Sequence, residues 1–155
     1  MLFNKKIKVY ISSGWFDKKQ RKCLDILETY LQKNENFEVY SPRLNLKLEP
    51  TATMAERKKC FAENLKHIRQ ADLIVSSIEG KDMGTLWEDG YAFALGKKII
   101  YTWFTAPKDK KINLMLSMSG IKTFVNEVRF FIFIYQLTKK KLRKMKTEFY
   151  SGDIE

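Results

Sequence analysis

The stretch from Leu73 to Gly96 leaves few folds open. Leu73-Ile-Val-Ser-Ser-Ile78 is a short, β-branched apolar run with polar flanks, which is the pattern of a buried strand. Glu79-Gly80-Lys81 turns the chain, and Gly84 permits a tight bend before Thr85, a candidate helix cap. Leu86 to Leu95 suits a helix, with Gly96 just past its end. A strand, a glycine-bearing loop and a helix start make the junction where open α/β sheets hold their ligands. Asp82, Glu88 and Asp89 crowd that junction. Glu88 shares a helix face with Ala92 and Leu95, so it is expected to point inward. An inward carboxylate is either half of a buried ion pair or a group aimed at a substrate. Its place at the loop edge weighs for the second.

The remaining chain repeats the strand–helix alternation. Lys6 to Ser13 alternates as a strand, with Ile7, Val9 and Ile11 on one side and Lys8 and Tyr10 on the other. Ser12-Ser-Gly-Trp-Phe16 is the first strand-to-helix loop, and Asp17 to Lys33 has the leucine spacing of a helix. Phe37 to Tyr40, Lys98 to Phe104 and Lys122 to Val125 read as further strands. Met54 to Arg69 reads as a second helix and Glu127 to Lys146 as one long helix, while Leu44 to Thr53 lacks a period and reads as a loop. The pattern predicts one domain over residues 1–155, an α/β fold. Its core is a doubly wound, five-stranded parallel sheet flanked by helices, flavodoxin-like or Rossmann-like, in the order 2-1-3-4-5. The carboxyl edge of that sheet would gather the first loop and the Asp82 loop together.

Charge and composition narrow the function classes. The 155 residues carry a formal net charge of +11, which favours acidic partners. The lysines are spread along the chain, however, and such a surface is often only solvated. Cys23 and Cys60 have no paired spacing and are expected as free buried thiols in a reducing compartment. No N-terminal signal pattern is visible, and Phe130 to Tyr135 is far shorter than the ~20 residues a bilayer demands. A cytoplasmic protein is therefore expected. One histidine and two distant cysteines form no metal-ligand set, and there is no phosphate-binding glycine motif. Carboxylates, a tyrosine and aromatics at a sheet edge suit glycosyl chemistry, in which one carboxylate attacks an anomeric carbon.

The residues at this edge resemble a known family. Tyr10-Ile-Ser-Ser-Gly-Trp-Phe16, Asp72, Asp82-x-Gly84-x-x-x-Glu88-x-Gly90-Tyr91-Ala92, Ile112-Asn-Leu-Met115 and the tail Phe149-Tyr-Ser-Gly152 are together similar to the nucleoside 2-deoxyribosyltransferases. The resemblance implies transfer of a 2-deoxyribosyl group between purine or pyrimidine bases, with retention, through a covalent glutamyl intermediate. It implies Glu88 as nucleophile, Tyr10 as the residue that orients it, and Asp72 as handler of the proton on the departing base. It places Asp82 on the deoxyribose hydroxyls, Gly14, Trp15 and Phe16 along the base, and Asn113 and Met115 in a neighbouring subunit's sugar site. Glu155 matches a chain end that folds near the nucleophile. No metal or organic cofactor, a homo-oligomer (hexamer or dimer) with shared sites, and a part in nucleotide salvage complete the expectation. Two features depart from the family pattern. Ser12 and Ser13 replace smaller residues, and no glutamine lies between Leu44 and Leu46 to hold the base.

Two rivals follow from the same residues. A hydrolase of the same superfamily, acting on 2'-deoxynucleoside 5'-monophosphates, would need a phosphate cradle, for which Ser12, Ser13 and Arg43 are candidates. A non-enzymatic nucleic-acid binder would use the positive charge. A polyanion groove would not line itself with Asp72, Asp82 and Glu88, so no nucleic-acid partner and no membrane is expected.

Overall fold

The computed structural model describes residues 5–155. Part of the segment read for an N-terminal signal, residues 1–4, lies outside the described residues. The chain forms β1 (Ile7–Ser12), α1 (Lys18–Gln32), β2 (Phe37–Tyr40), α2 (Pro42–Asn45), α3 (Met54–Gln70) and β3 (Leu73–Ser77). A 3₁₀ turn (Glu79–Lys81) leads to α4 (Met83–Ala94), β4 (Lys98–Thr102), α5 (Leu114–Ser119), β5 (Lys122–Phe124), α6 (Glu127–Tyr135) and α7 (Lys139–Lys144). All strand pairs are parallel, in the expected order β2-β1-β3-β4-β5.

Both faces of the sheet are covered, as a parallel sheet requires. Ile7, Val9 and Ile11 of β1 join Leu73, Val75 and Ile100 under Leu24, Leu27 and Leu31 of α1 and Phe130 and Ile134 of α6. The alternate residues Tyr10, Ile74, Ile99 and Tyr101 face Ile68 of α3 and Ala92 of α4. Tyr10 therefore belongs to a second core, not to a solvated side.

The helix starts are set by side-chain caps. Asp17 and Gln20 form a reciprocal capping box on α1, and Thr53 and Glu56 form one on α3. The cap of α4 is Asp82, not Thr85: Asp82 Oδ2 accepts the Thr85 N–H at 2.8 Å and its hydroxyl at 2.9 Å. Gly96 does close this helix, at φ +69°.

Three expectations about elements are revised. The loop after β2 begins with the short helix α2, started by Pro42 at its first turn. Cys60 is only half-buried, whereas Cys23 is buried; both are free. The single long helix from Glu127 is two helices. The chain turns at 136–138, where Thr138 caps α7, and the turn lets Leu137 and Leu142 both bury while Lys140, Lys141 and Lys144 stay outside. No helix among the described residues is long and apolar enough to cross a membrane.

Along α1, Leu24, Leu27 and Leu31 are all almost wholly buried in the first core. Leu27→Ala should lower the unfolding free energy by about 2–5 kcal/mol, measured by urea denaturation with an unchanged slope.

Candidate active site

Tyr10 and Ser12 lie two apart at the carboxyl end of β1, so they share one face of the strand. That face looks at α4. The Tyr10 hydroxyl donates to Glu88 Oε1 at 2.8 Å, and the Ser12 hydroxyl donates to Glu88 Oε2 at 3.0 Å. Each carboxylate oxygen thus has its own donor, and both donors stand on a central strand. Burial pushes the Glu88 carboxyl up to about 7, against the two hydrogen bonds, which favour the anion, and with help from the Asp82 charge. Burial and the Glu88 charge push the Tyr10 hydroxyl far above its ordinary range, so it remains a donor. Tyr10 stacks on Tyr40, whose ring in turn stacks on His67 with centroids 3.7 Å apart. The Tyr40 hydroxyl donates to Asn64 Oδ1 at 3.2 Å, and burial pushes it up to about 12.

The first loop approaches this pair closely. A Cβ at Gly14 would lie 3.0 Å from Asp82 Cβ and Cγ, so glycine lets the loop reach the cap of α4. Trp15 and Phe16 stack with centroids 5.5 Å apart, and Phe16 is 70% exposed. Gln20 holds the loop down: Oε1 accepts the Phe16 N–H at 2.8 Å and Nε2 donates to the Glu79 carbonyl at 3.2 Å. Glu79, itself buried, accepts the Thr105 N–H at 2.9 Å and also binds the Thr105 hydroxyl. Three strand-to-helix loops are thereby tied together. Gly80 sits between them at φ +68°, where a Cβ would meet Gln20 Nε2 at 2.8 Å.

A second group of expected residues lies on the far side of α4. A cavity of about 560 Å³ opens there between Leu86, Gly90 and Phe93 of that helix and Ile112, Asn113 and Met115 before and on α5. Asp89 and Glu155 line it as well, but Glu88 does not. Asn113 caps α5, its Oδ1 accepting the Met115 N–H at 2.9 Å, and Met115 is 74% exposed. The tail runs beside this loop through a bridge of Ile112 and Ile154, and Glu155 pairs with Lys81. Within one chain, Asn113, Met115 and Glu155 are therefore grouped with each other and not with Glu88.

Asp72 is not brought to this edge. It precedes β3, opposite Lys8, whereas Ser76 of the same strand lies opposite Ser12. The four residue steps from Asp72 to Ser76 correspond to about 13 Å of strand. Burial alone would push its carboxyl up, but the Lys8 N–H at 2.8 Å and Lys139 Nζ at 2.9 Å hold it below the ordinary range. It is an anion fixed at the amino edge of the sheet. A strand-start residue in a parallel sheet lies at that edge by construction, which the sequence pattern already implied. Conversely, Ser12 was overlooked as a partner of Glu88, although its two-residue spacing from Tyr10 would have found it.

The sequence profile of the nucleoside 2-deoxyribosyltransferases matches residues 9–115. The chain belongs to the nucleoside 2-deoxyribosyltransferase family. Its structure is similar to that of a 2-deoxyribosyltransferase from Bacillus psychrosaccharolyticus, with a TM-score of 0.75 and 27% identity, covering 92% of this chain and 98% of that one. Two more distant structures share the fold. One is the CMP N-glycosidase of Clostridium botulinum, at TM-score 0.55 and 20% identity, covering 82% of this chain and 97% of that one. The other is a conserved protein of Enterococcus faecalis, at 0.56 and 16%, covering 90% and 97%. Among curated proteins, none matches the sequence.

The Tyr10 contact has a measurable electrostatic consequence. Carbon-13 NMR of the Glu88 carboxyl should show titration near pH 7 in this transferase-family chain. Tyr10→Phe removes a donor that favours the anion, so the midpoint should move upward; a fall would reverse the assigned sign.

Proposed function

We propose that this chain transfers the 2-deoxyribosyl group between nucleobases by double displacement, with Glu88 as the nucleophile. The observation that carries the reading is the two-donor clamp on Glu88 from Tyr10 and Ser12. A carboxyl poised near neutrality is ionised in a substantial fraction of molecules at pH 7, and the clamp fixes its orientation for attack on C1'. The C1'–base bond breaks as the C1'–Glu88 ester forms. A second base then displaces Glu88, so the two inversions give retention and ping-pong kinetics. The free Oδ1 of Asp82, whose other oxygen caps α4, supports its reading as the ligand of a deoxyribose hydroxyl. Trp15 and Phe16 offer stacked ring faces for the base beside Gly14. Proton handling by Asp72 is not part of this proposal, because its carboxylate is held by Lys8 and Lys139 at the opposite edge.

The phosphate cradle of the hydrolase reading finds little support. Arg43 is bound by Asp25 and Glu28, and the Ser13 hydroxyl donates to the Gly14 carbonyl at 2.8 Å. Ser12 is already bonded to Glu88. Nucleosides are therefore proposed as donors in preference to their 5'-monophosphates.

We further infer an assembly in which Asn113 and Met115 complete the sugar site of a second copy, with a hexamer built from dimers as the full form. Three features support this. Met115, Met118 and Phe93 are exposed around the cavity beside α4; Asn113 and Met115 stand apart from Glu88 in their own chain; and α6 leaves Val128, Phe131, Ile132 and Tyr135 exposed.

Exchange between thymidine and adenine, followed by chromatography, tests the activity. Glu88→Gln should abolish it with the circular dichroism spectrum unchanged, and near-native exchange would sink the nucleophile assignment. Mixing inactive Glu88→Ala with inactive Asn113→Ala subunits should restore part of the activity; no rescue after proven subunit exchange would remove Asn113 from the shared site.

A further inference from the structure

Asp89 follows the proposed nucleophile directly and is more deeply enclosed, at 1% exposure. It lies under α4 against the carboxyl ends of the central strands. Ser76 Oγ of β3 stands 2.7 Å from Asp89 Oδ2. Asp89 Oδ1 is the one buried side-chain oxygen or nitrogen among the described residues with no hydrogen-bond partner. No lysine or arginine among the described residues forms an ion pair with it. A buried carboxylate with one bare oxygen and no cation is poorly placed as an anion. As a neutral acid it fits: Oδ2 still accepts the Ser76 hydroxyl across the same short contact, and an uncharged carboxyl with one unpartnered oxygen is far easier to bury than an anion.

The groups around Asp89 explain why the proton stays there. Glu88 is its neighbour on the helix, and the Ser12 hydroxyl of β1 donates to Glu88. From β4 comes Tyr101, whose hydroxyl is shared with Ser119 of α5 at 2.9 Å. Lys81, Lys111 and Glu155 line the outer part of the same cavity, and Asp82 stands at the helix start. Burial pushes the Asp89 carboxyl up to about 7; Ser76 and Ser12 oppose the shift, and the Glu88 charge adds to it.

We propose that Asp89 is the proton-holding partner of Glu88: the two carboxyl groups, consecutive on α4 and both buried against the carboxyl ends of the central strands, carry one negative charge between them, Asp89 remaining the neutral acid while Glu88 is the anion. Asp89 is then a positioning residue that acts through Glu88. The inference rests on the reading of Glu88 as nucleophile and has a consequence for each half-reaction. When the C1'–base bond breaks and the C1'–Glu88 ester forms, the Glu88 charge disappears and Asp89 is free to ionise. The base takes up one proton and Asp89 gives up one, through solvent, so net charge is conserved. When a second base breaks the ester, Asp89 regains a proton and Glu88 its charge.

The test is a carboxyl carbon-13 NMR titration of the full chain, in which Asp89 is assigned by the resonance lost in Asp89→Asn, or in Asp89→Leu should the first variant misfold. In Glu88→Gln, or Glu88→Ala should that misfold, position 88 is uncharged as it is in the ester. The Asp89 midpoint should then fall by at least about one pH unit relative to the native chain. An unchanged midpoint, or an Asp89 that ionises before Glu88 in the native chain, overturns the proposal. Kinetics add a second reading. Asp89→Asn replaces one neutral group by another, so the acid limb of kcat/KM should stay in place. A downward move would mean that Asp89 had been an anion repelling Glu88, and would overturn the proposal too. The NMR arm needs no turnover, so its failure is distinct from failure of the transferase reading.

Discussion

A parallel sheet buried on both faces must deliver every strand-to-helix loop to one edge, and this chain depends on that constraint. Alternation along β1 sends Ile7, Val9 and Ile11 to one core and Tyr10 and Ser12 to the other. The same alternation that stabilises the sheet therefore aims two hydroxyls at α4. The hydrophobic effect on the surrounding aliphatic residues supplies the stabilisation; the polar pair rides on that scaffold. A donor on a central strand cannot drift, so Glu88 is oriented by the part of the fold least able to move.

Charge is divided between the two edges. Asp82, Glu88 and Asp89 lie at or under the carboxyl edge, close to the start of α4. Lys5, Lys139, Lys140, Arg143 and Lys144 cluster elsewhere, on the side where Lys139 reaches Asp72. The large positive net charge thus says little about the site. Burial there favours neutral carboxyls, while the hydroxyl donors favour the anion, and the balance falls near neutrality.

The strand order and the βα junction at Asp82 were legible because strand patterns, turn glycines and helix spacing all agreed. Glu88 and Tyr10 came from an inward helix face and a family motif, and they do meet. Asp72 was misplaced because a motif read along the chain carries no edge, whereas a strand-start position does. The break at Thr138 was hidden because apolar and basic residues run on without glycine or proline, and only burial of both Leu137 and Leu142 demands the turn. The split of Asn113 and Met115 from Glu88 is a matter of which side of one helix a loop meets, and no local pattern encodes it.

The hydrogen bonds from Gln20 to the Glu79 carbonyl and from Thr105 to the Glu79 carboxylate join the loops after β1, β3 and β4 into one plate. Gly80 is wedged inside it. A plate of this kind does not open like a hinge. On the proposed reading, admission of a ligand falls to parts outside it: the exposed ring of Phe16 and the exposed side chain of Met115. In the transferase proposed above, traffic would then be governed by those side chains and by the second copy beside α4, with the tied loops as a fixed floor.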